Sequence, residues 1–460
     1  MGVVRTLVGA INRVIPEVDR PTARPTLKER LGWTLAVLLV YYILASIPVY
    51  GVQPSQLDYL RELRIIFAGA RGSIIDLGIG PIVTAGIILE LLVGSKIIEL
   101  DLTDPDNRKY FQQAQRVAAL LFIVFENAAY VLGGSYGRLD VDTAVLVIAQ
   151  LCLGSFVLMM LDDLVGKWGI GSGISLFILA NVAQNVFWGI FSPATVRGQY
   201  VGVVPALALG GSSAIYRPNL PDLMGLIATF VVFLAVVWAY EVRVEIPIAH
   251  TLVGGQRVRY PIRLLYVSNI PIIFTQALYG DLRILANIVW TQAMAGNWLA
   301  QQVAPWLGVF DEANRVTGGI LYYLTIPRDP SVLFTEPLRA LAYLLLYVGF
   351  SVLFAKVWVI TAGMDPDSVA RQLIAQGMVI PGRRASPKLV ADTIRGYIEA
   401  VTIVGGALVG LLAALADFSG AIGTGSGILL AVTIASSFYE IITRERALEL
   451  YPRLSKILGV

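Results

Sequence analysis

Apolar residues in this chain come in long runs, and ten of the runs are long enough to cross about 30 Å of hydrocarbon as helices. They fall near residues 32–50, 77–95, 112–133, 142–161, 170–191, 222–240, 264–287, 337–361, 393–416 and 420–442. Polar residues gather between them, so the pattern predicts an all-α polytopic membrane protein. The second run, Leu77 to Ser95 (LGIGPIVTAGIILELLVGS), is interrupted at its start by Gly78, Gly80 and Pro81 and follows a stretch too charged to cross lipid. Backbone groups freed by a break at membrane depth must be received by protein or by a water-filled cavity. That run is a candidate pore element.

Between the first two runs, Leu60, Leu63, Ile66 and Phe67 share one helical face, with Arg61, Glu62 and Arg64 on others. The spacing predicts a short amphipathic helix that does not span. In the first 30 residues, Val3, Val4, Leu7, Val8, Ile11, Val14 and Ile15 recur at helical spacing among Arg5 and Arg13, without a secretory h-region and cleavage site. They predict an amphipathic helix on the inner membrane face.

Short similarities recur along the chain. GSGISL at Gly171 to Leu176 matches GSGILL at Gly425 to Leu430, and PIVT at Pro81 to Thr84 matches PIIFT at Pro271 to Thr275. Both pairs occupy matching places in two sets of five runs. Five is odd, so the second set enters the membrane opposite to the first, which predicts inverted repeats with the functional site at their interface. The expected organisation is an N-terminal segment (1–30), a first half (31–191), an outer connection (192–221), a second half (222–443) and a C-terminal tail (444–460). Asn269 and Pro271 are expected inside the seventh helix, where they would bend it.

Composition narrows the class. The chain is 56% hydrophobic and 15% charged, which fits no ordinary soluble domain. With the N-terminus inside, 25 of the 35 Lys and Arg lie on the inner side, so the positive-inside rule predicts cytoplasmic termini. Basic residues concentrate on two inner loops, about 246–263 and 362–392. The single cysteine, Cys152, excludes an internal disulfide and a Cys-based metal cluster. The single histidine, His250, excludes an H-E-x-x-H site, and no GxxxxGK[ST] loop is present, so neither an intramembrane enzyme nor an ATP-driven pump is expected, and no cofactor or metal. A secondary transporter shares inverted repeats and broken helices, but it would place polar coordinating groups where these helices carry aliphatic ones. Trp290, Trp298 and Trp306, between the seventh and eighth runs, suit segments resting at the outer interface.

Several separate segments together resemble the SecY family, the channel subunit of the general protein-secretion translocon, in its archaeal form, similar to the α subunit of the eukaryotic endoplasmic-reticulum channel. They are LGIGPIVTAGIILELLVGS, GIGSGISLFI, IPIAH followed by RYPIRLLYVSNIP, and the final GSGILL. The resemblance implies an hourglass channel for unfolded polypeptide, built of ten helices in two halves that open like a clamshell. Its waist would be a ring of Ile79, Val83, Ile174, Ile178, Ile273 and Leu430, all aliphatic here. Apolar constrictions exclude water and ions by dewetting, while flexible side chains can part for any sequence.

The resemblance also implies a re-entrant plug helix in about 55–76, carrying Leu57, Leu60, Leu63, Ile66 and Phe67. A lateral gate would involve Thr84, Glu126 and the end of the seventh helix, with Gln276 and with Asp281 at a position where the family carries Asn. Glu126 is costly in an apolar helix and is expected to be paired or functional. Arg257, Arg259, Arg263, Arg383, Arg384 and Lys388 would dock the ribosome through ribosomal RNA, since exposed basic loops bind phosphate without sequence readout. Implied partners are a SecE subunit clamping the two halves, a small β-type subunit (SecG in bacteria), the ribosome, signal sequences with nascent chains, and membrane lipids. The implied location is the cell membrane.

Overall fold

The computed structural model of the protein describes residues 2–450 apart from 24, 53–60, 101, 103, 138, 197, 218–219, 251–255, 265–268, 312–314, 328–330, 376–377 and 380–385. Helix α1 (Gly2–Val14) precedes α2 (Leu27–Ser46), whose start is fixed by a reciprocal cap: Glu29 N donates to Thr26 Oγ1 and Thr26 N to Glu29 Oε2. After the short α3 (Arg61–Ile66) come α4 (Gly80–Gly94), α5 (Pro105–Leu132), α6 (Val141–Trp168) and α7 (Gly173–Phe191). A small hairpin, β1 (Thr195–Val196) and β2 (Gln199–Tyr200), and α8 (Val203–Gly210) lead to α9 (Leu223–Glu241).

The second set continues with strands β3 (Arg243–His250) and β4 (Gln256–Arg263), then α10 (Ile270–Met294) and α11 (Trp298–Leu307). Strands β5 (Val309–Phe310) and β6 (Val316–Gly318), α12 (Ile320–Leu324) and α13 (Val332–Thr335) precede α14 (Pro337–Thr361) and α15 (Pro366–Ala375). Strand β7 (Met378–Val379), α16 (Pro387–Phe418) and α17 (Gly425–Leu450) complete the chain.

Among the described residues, nine helices are long and apolar enough to cross a membrane, and α4 is a shorter apolar tenth. They form the two expected sets of five: α2, α4, α5, α6 and α7, then α9, α10, α14, α16 and α17. Apolar side chains such as Leu39, Phe230 and Trp238 point outward from the spans, and the core between them holds Tyr41, Phe177, Tyr343, Tyr347 and Phe354 fully buried.

The structure corrects three details. Helix α10 begins at Ile270, so Asn269 is its N-cap and Pro271 lies in its first turn, where the missing N–H costs nothing; neither residue bends the helix from inside. The basic stretch 246–263 is not a loop but most of an antiparallel hairpin, with Arg243 opposite Arg263 and His250 opposite Gln256, extended by β7 on the β3 side. Helix α4 is about 22 Å long at 1.5 Å per residue. The first part of the second apolar run, Leu77 to Ile79, is turn, in which Gly78 N donates to Ile75 O (2.9 Å) and Ile79 N to Phe67 O (2.8 Å). The broken entrance is thus received by protein, as its depth requires.

The segment after α1 is clasped to Arg116 of α5 and to the last turns of α6. Glu17 pairs with Lys167 (2.6 Å) and Arg116 (3.2 Å), both of which also reach Asp163, while Lys167 Nζ donates to Val18 O and Trp168 Nε1 to Asp19 O. The hydrogen bond from Lys167, aided by Arg116, holds the Glu17 carboxyl below its ordinary value of 4.5. A depressed folded pKa makes a contribution that is complete above pH 4.5 and lost as pH falls through the folded value. Val18 N donates to Asp163 Oδ2 (3.0 Å) within this clasp, so amide exchange at Val18 is expected to stay protected from pH 7 down to pH 4.5 and to rise in more acid buffer. Loss of protection already between about pH 7 and pH 5 would contradict the pairing.

Candidate functional site

Helix α3 lies at the centre of the bundle, packed against α7, α10 and α17. Leu63, Ile65, Ile66 and Phe67 are all buried. Two glycines make room for it. A Cβ at Gly280 in α10 would come 3.2 Å from the Phe67 ring and 3.3 Å from Leu63, and one at Gly80 in α4 would come 3.6 Å from Phe67. Gly78 adopts φ +58°, and a Cβ there would fall 2.0 Å from Phe67 O, so only glycine lets the entrance of α4 run against the end of α3. Leu57 and Leu60 lie outside the described residues.

The six aliphatic residues named from the motifs share one apolar core with α3. Ile79, Ile178 and Leu430 are fully buried, Val83 and Ile273 nearly so, and the half-buried Ile174 packs on the same cluster. Each set of five helices contributes: Ile79, Val83, Ile174 and Ile178 from the first, Ile273 and Leu430 from the second.

Arg64 departs from the expected pattern. Instead of lying on a solvated face it is buried and ion-paired with Asp76, a fully buried residue in the turn before α4. Tyr136 OH and Gly72 N also donate to Asp76, and Arg64 Nη2 donates to Tyr130 OH in α5 (2.6 Å). The backbone of α3 and of the turn after it is held from two further helices: Asn181 Nδ2 of α7 donates to Arg64 O (2.7 Å) and Ile65 O (3.1 Å), and Tyr41 OH of α2 donates to Ala68 O (3.0 Å). The sequence signal for Asp76 was its isolation, a lone acid in an apolar run twelve residues after a basic one.

At the seam between the two sets, Thr84 Oγ1 of α4 stands 3.0 Å from Asp281 Oδ2 of α10, while it also reaches Gly80 O. Glu126 of α5 is buried beside them, with Oε1 unpartnered. A cavity of about 20 Å3, room for about one water, is bordered by Leu63, Arg64, Phe67, Gly80, Glu126 and Asp281, so the seam and α3 share a boundary. Gln276 belongs elsewhere. Its amide donates to Tyr347 OH (2.9 Å) and lies 3.4 Å from Ser426 Oγ, inside the second set. There Asp417 accepts from Tyr343 OH (2.8 Å), Gly425 N (2.9 Å) and Ser426 N (3.2 Å), tying α14 to the first turn of α17. The first N–H groups of a helix have no intrahelical partner, and Asp417 supplies one for α17 from outside it. Neither Asp417 nor the tyrosines stood out in the sequence, because their spacing is that of ordinary core positions.

Of the basic residues, Arg263 is committed at the base of the hairpin. It donates to Tyr240 OH (2.7 Å), pairs with Glu440 of α17, and stacks over the Tyr240 ring at 4.8 Å. Lys388 is exposed near the start of α16. The hairpin register sets Arg257 opposite Ala249 and Arg259 opposite Pro247, while their side chains, and Arg383 and Arg384 entirely, lie outside the described residues. No group of three or more potential metal ligands occurs among the described residues.

Two five-helix sets packed around a short buried helix define a membrane-channel fold of the plugged kind. The chain matches the SecY family over residues 73–439 and the plug domain of Sec61p over residues 39–72. It is 46% identical to the protein translocase subunit SecY of Pyrococcus furiosus, with 99% of each chain covered. Among solved structures, a protein-conducting channel superposes with a TM-score of 0.84 at 38% identity, covering 97% of this chain and 99% of that one. Sec61 in the canine ribosome-channel complex from the endoplasmic reticulum gives 0.80 at 36% identity, with the same coverage. This chain belongs to the SecY family.

Proposed function

We propose that the chain is the channel subunit of a protein-conducting pore, a passive conduit that moves unfolded secretory polypeptides across the membrane and releases hydrophobic segments sideways into lipid. The observation that carries this reading is the convergence of six aliphatic side chains, five buried and Ile174 half-buried, from both sets of helices on one core with α3. In this reading the six form the constriction and α3 is the plug that fills the funnel on its outer side. An apolar ring seals by dewetting and imposes no sequence preference on the thread that parts it. Thr84, Glu126 and Asp281 form the polar cluster of the lateral gate, and the 31–191 and 222–443 halves move apart along that seam. Gln276 serves instead to brace the second half.

Driving force comes from partners. A ribosomal partner is supported by the canine ribosome-bound neighbour and by the basic inner surface, where Arg257, Arg259, Arg383, Arg384 and Lys388 would meet ribosomal RNA. A SecE subunit and a small β-type subunit complete the assembly, in a cell membrane with both termini cytoplasmic. Proteoliposomes holding the assembled complex test the reading. A signal-bearing polypeptide presented on ribosomes should become protease-protected, and the same polypeptide without its signal should not. Uptake of a small solute through vesicles tight to polypeptide would instead make the chain a transporter.

A further inference from the structure

The seam carries a second fastening, away from Thr84 and Asp281. Gly133, the C-cap of α5, presents its carbonyl toward α10, where Asn287 Nδ2 and Thr291 Oγ1 each lie 3.2 Å from that oxygen. The last carbonyls of a helix have no intrahelical partner, so this acceptor is met by donors from across the seam. Thr291 Oγ1 also lies 2.8 Å from Asn287 O, and its one hydroxyl proton can serve a single acceptor at a time. Asn287 is therefore the committed donor. It is 7% exposed, so the bond is shielded from water. The helices also approach closely here: a Cβ at Gly133 would come 3.2 Å from Ile288 Cγ1.

Six residues separate Asp281 from Asn287, about 9 Å along α10, and Thr291 is about 15 Å away. The two fastenings stand at different heights and hold different helices, α4 at the middle and α5 at the outer end. We propose that Asn287, assisted by Thr291, is a positioning residue: a clasp on the Gly133 carbonyl that closes the outer end of the seam independently of Thr84 and Asp281, so that the gate opens in two separable steps. The inference rests on the lateral-gate reading above.

The test uses the assembled complex in lipid nanodiscs, with spin labels replacing Leu132 and Leu285, two exposed positions that flank the clasp. In the resting channel, Asn287→Ala should raise the long-distance population about two- to tenfold, which is what losing one net hydrogen bond implies. Thr291→Val should have a smaller effect. Because sites this far apart act nearly additively, Asn287→Ala combined with Thr84→Val should open the seam by about the product of the single effects. A distance distribution in Asn287→Ala that matches the parent overturns the clasp, as does a double variant no more open than the larger single one. The spin-labelled parent, with Asn287 and Thr84 intact, gives the control. If a photocrosslinker at Leu285 never meets a hydrophobic signal segment, the gate itself is lost; if it does and Asn287→Ala stays closed, only the clasp is lost.

Discussion

Asp76→Asn is expected to leave the channel leaking ions in the absence of any substrate. The substitution keeps the size of the side chain and removes the charge that faces Arg64, which is buried in the closed arrangement. Removing one partner of a buried ion pair costs about 3–5 kcal/mol, because the remaining charge is stranded away from water. That cost falls on the plugged state. With α3 displaced from the outer funnel Arg64 regains solvent, so the open to closed ratio should rise by about a hundredfold or more. Arg64→Ala should also leak, through loss of its bond to Tyr130 and exposure of Asp76 to unbalanced burial. The double variant Arg64→Ala/Asp76→Ala should leak less than the product of the two singles, since neither charge is then stranded. Single-channel conductance in planar bilayers reads all three. Resting currents equal to the parent in both single variants would mean that the pair does not hold the plug.

Ile79→Asn and Leu430→Asn are the second pair with large expected effects. Both positions are fully buried in the core shared with α3. A polar side chain in an apolar constriction wets it, and a wet constriction conducts. Resting ion conductance should rise roughly tenfold, which corresponds to about 1.4 kcal/mol of lost dewetting free energy. Ile79→Val, which keeps the aliphatic surface, should stay sealed. Unchanged conductance in both asparagine variants would count heavily against a sealing role.

The chain's pattern made much of this fold legible. Runs of apolar residues at spanning length located all ten helices, and Gly78, Gly80 and Pro81 marked the one whose entrance is broken. Helical spacing of Leu63, Ile66 and Phe67 identified a short helix that does not span. What spacing could not reveal was which polar residues face one another across the bundle. Arg64 was placed on a polar face because amphipathic periodicity treats charge as solvated, whereas its partner Asp76 comes from a turn. Asn287 and Gly133 are 154 residues apart and meet only once α5 and α10 are packed. Gln276 shares α10 with Asp281, yet its amide turns to Tyr347 in the second set. The hairpin of β3 and β4 escaped notice because its charges and prolines resemble those of a loop, while its pairing joins residues on either side of 251–255.

The central claim is that six aliphatic side chains from both sets of helices surround one polypeptide path. It is tested most directly by photocrosslinkers placed one at a time at Ile79, Ile174 and Ile273, with a ribosome-stalled secretory chain engaged in the complex. The account predicts that the same short stretch of the nascent chain crosslinks to all three positions. Crosslinks to lipid at those positions, with none to the nascent chain, would contradict it.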